Sequence, residues 1–204
     1  MTPHQAAGRP AVEDADVALM IAVRDHGCTE SFDQLVRRWR ARVERMCYRM
    51  CGNLVDAEDL AQDVFQKLFQ ARDRYHPTAS FSSYLWKIAT NRCRDFGKSQ
   101  RQRRRQTSNW EDVAEAPVVG LDGDARASIQ QAIWRLPRHY REVVVLRHYE
   151  DLKFDEMAAL LEIPRGTVAS RMAKALRLLE AEFVRLELIP ARTNPGSPKL
   201  KVNP

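Results

Sequence analysis

From Asp16 onward the apolar positions recur at helical spacing. Val17, Leu19, Met20 and Val23 are followed by Phe32, Leu35, Val36, Trp39, Val43, Met46 and Met50. Gly52-Asn53 closes this run with a helix C-terminal signal. Asp56 then stands as an N-cap for a helix DAEDLAQDVFQKLFQA, whose acidic first turn suits the helix dipole. The stretch RDRYHPTAS, with Pro77, predicts a loop, and a long helix is expected from about Phe81 to about Arg105. Helical periodicity stops there and returns from Ala125 to about Leu188. Strand alternation is found nowhere. The pattern predicts an all-α protein of two small helical domains joined by a flexible acidic linker.

Charge sharpens these divisions. Lys98, Arg101, Arg103, Arg104 and Arg105 form a basic run, after which Glu111, Asp112, Glu115, Asp122 and Asp124 occur with no Lys or Arg among them. Pro117, Gly120 and Gly123 fall in the same stretch, which therefore reads as a linker over 107–124. A loose tail is expected over 1–14, a first domain over 15–106 and a second over 125–188. The Pro-rich polar stretch 189–204 has little to bury and reads as a second tail.

The chain has 204 residues, enough for one large domain or two small ones, and its 44% hydrophobic content is that of a globular protein. Lys and Arg outnumber Asp and Glu by 33 to 27, a formal charge of +6 that fits nucleic acid or an acidic surface as partner. The N-terminus lacks the apolar core of a signal peptide and no stretch is suited to span a bilayer, so a cytoplasmic protein without membrane insertion is expected. Cys28, Cys47, Cys51 and Cys93 read as small buried hydrophobes; no metal or cofactor is expected, although His26 and Cys28 leave a zinc or redox site conceivable.

Near the C-terminus, LKFDEMAALLEIPRGTVASRMAKALRLLEAEF holds two helices separated by a tight break. The first spans roughly Phe154 to Leu161, and Ile163-Pro164-Arg165-Gly166 supplies the turn, with Pro and Gly setting the backbone. On the second helix Val168, Met172, Ala175, Leu176, Leu179 and Phe183 share an apolar stripe. Opposite lie Thr167, Ser170, Arg171, Lys174 and Arg177, with Arg165 at the turn. Such a face suits the major groove, since Arg can read guanine bidentately while Lys and hydroxyls hold phosphates. Basic helical faces are also commonly just solvated, but the turn chemistry and the angular separation together favour a DNA-binding helix-turn-helix.

The helix FSSYLWKIATNRCRDFGKSQRQRRR is divided in the same way. Phe81, Leu85, Ile88 and Ala89 share one face, with Tyr84 at its edge. Lys87, Thr90, Asn91, Arg94, Lys98, Arg101 and Arg105 form a stripe several turns long, which matches an extended phosphate backbone better than a point ligand. Trp86 falls off the apolar face, and Tyr75 and His76 precede the helix, so exposed aromatics beside cations are candidates to stack on unpaired bases. Packing of Trp86 on a neighbouring helix is the alternative. Catalytic signatures are missing: there is no P-loop, HExxH, nucleophile elbow or loop-borne carboxylate cluster, so no enzyme is expected.

Several of these segments resemble the extracytoplasmic-function (ECF) group of bacterial sigma factors, over about residues 16–186 and in the family's order. DAEDLAQDVFQKLF is similar to its core-polymerase-binding helix, FSSYLWKIATNRCRDFGKSQRQRRR to its −10 recognition helix, and LPRHYREVVVLRHYEDLKFDEMAALLEIPRGTVASRMAKALRLL to its −35-binding domain, GTVASRMAKA being the most specific piece. The resemblance implies sigma regions 2 and 4, with core RNA polymerase, promoter DNA and an anti-sigma factor as partners. It makes Asp59, Gln62, Asp63 and Gln66, which periodicity alone reads as a solvated acidic face, a docking surface for the polymerase. It also implies −10 contacts from Trp86, Lys87, Thr90, Asn91, Arg94, Lys98 and Arg101, and −35 contacts from Arg165, Thr167, Ser170, Arg171, Lys174 and Arg177. Departures are modest: Lys153 and Phe154-Asp155-Glu156-Met157 replace more usual residues, as does Tyr84-Leu85 for Trp-Leu. A conventional DNA-binding regulator that does not join polymerase is the runner-up, and it leaves the N-terminal basic helix without a purpose.

Overall fold

The computed structural model describes residues 10–107, 125–186, 188 and 189, with side chains over 15–102, 127–186, 188 and 189. Among the described residues there are eight α-helices, one short 3-10 turn and no strand. The N-terminal group comprises α1 (Pro10–His26), α2 (Thr29–Cys51), α3 (Leu54–Gln70) and α4 (Phe81–Thr107). The C-terminal group comprises α5 (Ala125–Arg135), α6 (Arg138–His148), α7 (Phe154–Leu161) and α8 (Arg165–Arg185). Most of the expected acidic linker, and the chain beyond Ile189, lie outside the described residues.

Three local details differ from the sequence expectation. The apolar run from Val17 to Met50 is two helices, because Gly27 takes a left-handed φ of 60° and turns the chain. Helix α1 begins at Pro10, inside the stretch expected to be a tail. The N-cap of α3 is Asn53 rather than Asp56: its Oδ1 accepts from the Val55 and Asp56 amides at 2.8 and 3.1 Å. Asp56 sits in the first turn, where its charge still favours the dipole.

The N-terminal core is built where α2, α3 and α4 face one another. Leu35, Trp39, Val43, Met46 and Met50 of α2 meet Leu60, Val64 and Leu68 of α3 and Phe81, Leu85 and Ala89 of α4. Burial of each such side chain contributes about 1.5–3 kcal/mol. Helix α1 is tied on by Asp16, which is fully buried yet satisfied: it accepts from Trp39 Nε1 at 3.0 Å and pairs with Arg38.

In the C-terminal group Met157, Leu160 and Leu161 of α7 pack on Val168, Met172, Ala175 and Leu179 of α8. Helix α7 begins with Glu156 accepting from the Lys153 amide at 2.6 Å. The turn into α8 is made differently from expectation. Glu162 holds the left-handed position, with φ of 57°, while Arg165 and Gly166 already lie in α8. Helix α6 buries Val143, Val144, Val145 and Leu146 in succession because it is covered on two sides, by α7 and α8 and by α2.

Candidate nucleic-acid interface and polymerase-facing surface

Helix α8 turns its apolar stripe inward and holds its polar face out. Arg165, Ser170, Lys174 and Arg177 are exposed, and Thr167 and Arg171 are half-buried. Arg165 pairs with Asp155 of α7 at 2.9 Å, Ser170 Oγ donates to the Thr167 carbonyl at 3.1 Å, and Arg177 Nε donates to the Ala173 carbonyl at 3.3 Å. These are exposed, weak restraints that a phosphate or base edge can displace. Leu176, expected in the core stripe, is instead 47% exposed beside Arg177. The apolar stripe is narrower than the sequence suggested, because α5, α6 and α7 pack on α8 without covering Leu176.

Helix α4 departs further from expectation. Asn91, Lys87, Lys98 and Arg101 are exposed, and Arg94 is half-buried. Trp86 and Thr90, assigned to the nucleic-acid stripe, are fully buried. Trp86 packs edge-on against Trp39 at a ring separation of 5.6 Å, and the Arg42 guanidinium lies 5.5 Å from its ring. Tyr75 is likewise buried, edge-on to Phe81 and tilted against Tyr84, whereas His76 is exposed. An isolated helix has one apolar face; α4 touches α1, α2, α3 and α7 and buries more of its circumference than that.

Two cations of the stripe are engaged by the C-terminal group. Arg94 makes a two-pronged pair with Glu142 of α6, Nε to Oε1 at 3.0 Å and Nη2 to Oε2 at 2.8 Å. Hydrogen bonding to Glu142 holds the Arg94 guanidinium above its ordinary value. Lys87 pairs with Glu162 of the α7–α8 turn at 2.9 Å, which lowers the Glu162 carboxyl. Lys98 pairs within its own helix, with Asp95 at 3.1 Å.

On α3 the side chains of Asp59, Gln62 and Gln66 are exposed in a row. Asp63 is half-exposed and pairs with Arg92 of α4, so it both faces outward and ties α3 to α4. Next to this row a shallow hollow of about 240 Å³, lined by Val36, Arg40, Glu44, Ala61, Gln62 and Phe65, opens between α2 and α3. Neither the hollow nor the acceptors Glu142, Glu150 and Glu162 could be read from periodicity, because each depends on which helices meet.

Residues 35–105 match Sigma-70 region 2 and residues 126–179 match Sigma-70, region 4. The ECF RNA polymerase sigma factor SigE of Mycolicibacterium smegmatis is 34% identical over 83% of this chain and 68% of its own length. SigW of Bacillus subtilis, also an ECF RNA polymerase sigma factor, is 32% identical over 77% of this chain and 91% of its own. Among solved structures, CnrH in complex with the cytosolic domain of CnrY is 25% identical, covers 86% of this chain and 99% of that one, and has a TM-score of 0.64. The chain belongs to the ECF family of RNA polymerase sigma factors, alternative sigma factors that direct transcription initiation. Among the described residues no helix is long and apolar enough to cross a membrane.

Proposed function

We infer that the chain divides promoter recognition between α8 and α4 and joins polymerase through α3. The outward polar face of α8, backed by its buried stripe, carries this reading. Arg165, Thr167, Ser170, Arg171, Lys174 and Arg177 lie along the −35 major groove, and Lys87, Asn91, Arg94, Lys98 and Arg101 along the −10 element. Trp86 and Thr90 contribute there by holding α4 in place rather than by touching DNA. Asp59, Gln62, Asp63 and Gln66, with the adjoining hollow, meet core RNA polymerase. The working units are region 2 over 15–106 and region 4 over 125–188. The chain acts in the cytoplasm as a non-enzymatic factor, and an anti-sigma partner restrains it; the capture of CnrH with another protein's cytosolic domain supports such a partner.

Magnitudes place the melting step in the complex and not in this chain. Opening about ten base pairs costs on the order of 14 kcal/mol, from stacking of roughly 1.4 kcal/mol per step. Base-stacking contacts supply about 1–3 kcal/mol each, and the burial of Trp86 and Tyr75 removes two stacking candidates. The test is run-off transcription with core polymerase on a genomic fragment library. Promoter-specific transcripts that require this chain are expected, and Gln62→Ala with Asp63→Ala should abolish co-purification with core. Unchanged affinity of that variant for core would refute the α3 assignment. DNA binding without any association with core would make the chain a conventional regulator instead.

A further inference from the structure

The ion pairs in the contact between the two helical groups share one electrostatic polarity. Among the described residues three ion pairs cross it: Arg42–Glu150 at 3.3 Å, Lys87–Glu162 at 2.9 Å and Arg94–Glu142 at 2.8 Å. In all three the cation belongs to the N-terminal group and the carboxylate to the C-terminal group. Lys87 and Arg94 are two turns apart on α4, about 10 Å along its axis, so Glu162 and Glu142 occupy two separate positions along the cationic stripe. Glu142 is 1% exposed and is shared: Arg138 reaches it at 3.4 Å and also donates to the Arg94 carbonyl at 3.3 Å. A carboxylate that deeply buried is held by its guanidinium partners, and its position depends on them.

The far edge of the contact is fixed differently. The last carbonyls of α2, left unpaired by the helix, accept from the C-terminal group: Cys51 from Trp134 Nε1 at 2.8 Å and Met50 from Arg141. Arg49 of α2 lies over the Tyr149 ring at 3.8 Å. Closure therefore joins a seat on the backbone carbonyls at the end of α2 to an ionic clasp on α4.

We propose that Glu142 and Glu162 act as an intramolecular stand-in for DNA phosphates, holding α4 closed in the free chain, so that closure and nucleic-acid capture by α4 exclude each other. This rests on the reading of α4 as a DNA-facing helix. Lys98 and Arg101 lie beyond the clasp and remain available for a first encounter with DNA, after which Arg94 and Lys87 exchange carboxylates for phosphates. An apparent affinity is reduced by the fraction of chains in the competent state, so loosening the clasp strengthens binding without adding any contact.

The test uses the full chain without polymerase. Small-angle scattering reports closure through the radius of gyration, and anisotropy of a fluorescein-labelled single-stranded DNA oligonucleotide reports capture. Glu142→Gln with Glu162→Gln is compared with Asp33→Asn plus Asp73→Asn, which removes the same charge from exposed positions outside the clasp. The clasp variant should expand and bind the oligonucleotide at least about threefold more tightly than the charge-matched control. An unchanged radius overturns the clasp, and expansion with control-like affinity overturns the exclusion. Should Glu142→Gln fail to fold, Glu162→Lys is expected to expand the chain and Lys87→Glu added to it to restore closure; no expansion, or no restoration, overturns the proposal. Lys98→Ala with Arg101→Ala tests the underlying reading separately, since neither residue is in the clasp: unaltered oligonucleotide binding there would show that α4 is not the DNA-facing helix.

Discussion

Trp134 lies directly over Gly52, its indole N–H donating to the Cys51 carbonyl at 2.8 Å, and a Cβ built on Gly52 would overlap the ring. Gly52 also holds φ of 82° to end α2, which an L side chain adopts at a cost. Gly52→Ala should therefore lower stability by roughly 1–2 kcal/mol for the left-handed backbone and by a further amount for the displaced indole. Thermal unfolding of Gly52→Ala alone and in a Trp134→Ala background separates the two. The substitution should be less damaging when the indole is gone; equal damage would mean that Trp134 does not depend on this seat.

Much of this fold was legible because local chemistry and tertiary packing agree. Helix α7 ends where its apolar residues end, α4 begins at Phe81, and Gly52 closes α2 as its position suggested. What was missed depends on contacts distant in sequence. Arg42 and Glu150 are 108 residues apart, and Arg94 and Glu142 are 48 apart, distances that no helical periodicity encodes. Trp86 follows the alternative reading, packing on a neighbouring helix: its angular position lies off the apolar face of α4, but α2 covers that side with Trp39 and Arg42. The sequence points to Ile163-Pro164-Arg165-Gly166 for the turn before α8, whereas the left-handed residue is Glu162, whose carboxylate pairs with Lys87. Propensity favoured Gly; a charged residue is found where the clasp needs one.

The burial of Trp86 gives a direct expectation. Trp86→Ala should destabilise region 2 by about 3–5 kcal/mol, the range for emptying a core aromatic site. Chemical denaturation of this variant checks it. A stable Trp86→Ala protein that lost only −10 recognition would return the side chain to the DNA-contacting set.

The cysteines should separate by reactivity. Burial pushes the Cys51 thiol up to about 11, and Cys93 is held well above its ordinary value by its hydrogen bond to Cys47, at 3.9 Å, and by burial. Thiolate is the reactive form, so at neutral pH only a tiny fraction of Cys51 is competent, and its alkylation rate should rise about tenfold per pH unit below 11. Mass-resolved maleimide labelling of the folded chain should modify half-buried Cys28 first and leave Cys47 and Cys93 unmodified until denaturation. Early modification of Cys93 would show that the α2–α4 core opens far more readily than its packing suggests.

Glu150 offers a test of sign. Burial raises its carboxyl above the ordinary 4.5, and the attraction of Arg42 and Arg49 only partly offsets this, despite the 3.3 Å pair to Arg42. A raised folded value means the group's contribution to stability is present below about 4.5 and is lost as pH rises through the folded value. The melting temperature of Glu150→Gln relative to the native chain should therefore increase between about pH 4 and about pH 7. Were Arg42 attraction dominant, the difference would run the other way.

Arg171 and Lys174 sit one turn apart on the outward face of α8, and their substitutions should differ in kind. Replacing an Arg that reads a base edge costs about 1–3 kcal/mol and relaxes discrimination at one position. Replacing a Lys that meets phosphate weakens all sequences about equally and lowers the slope of log affinity against log salt by about one. Holoenzyme binding to a panel of −35 variants, titrated over salt, should show the first behaviour for Arg171→Ala and the second for Lys174→Ala. Both should leave core binding intact, because α3 and its exposed row of Asp59, Gln62 and Gln66 belong to the other helical group. If Arg171→Ala changed no position of the −35 preference, base reading would have to be reassigned to Arg177 or to the hydroxyls of Thr167 and Ser170, and α8 would enter the groove in a different register.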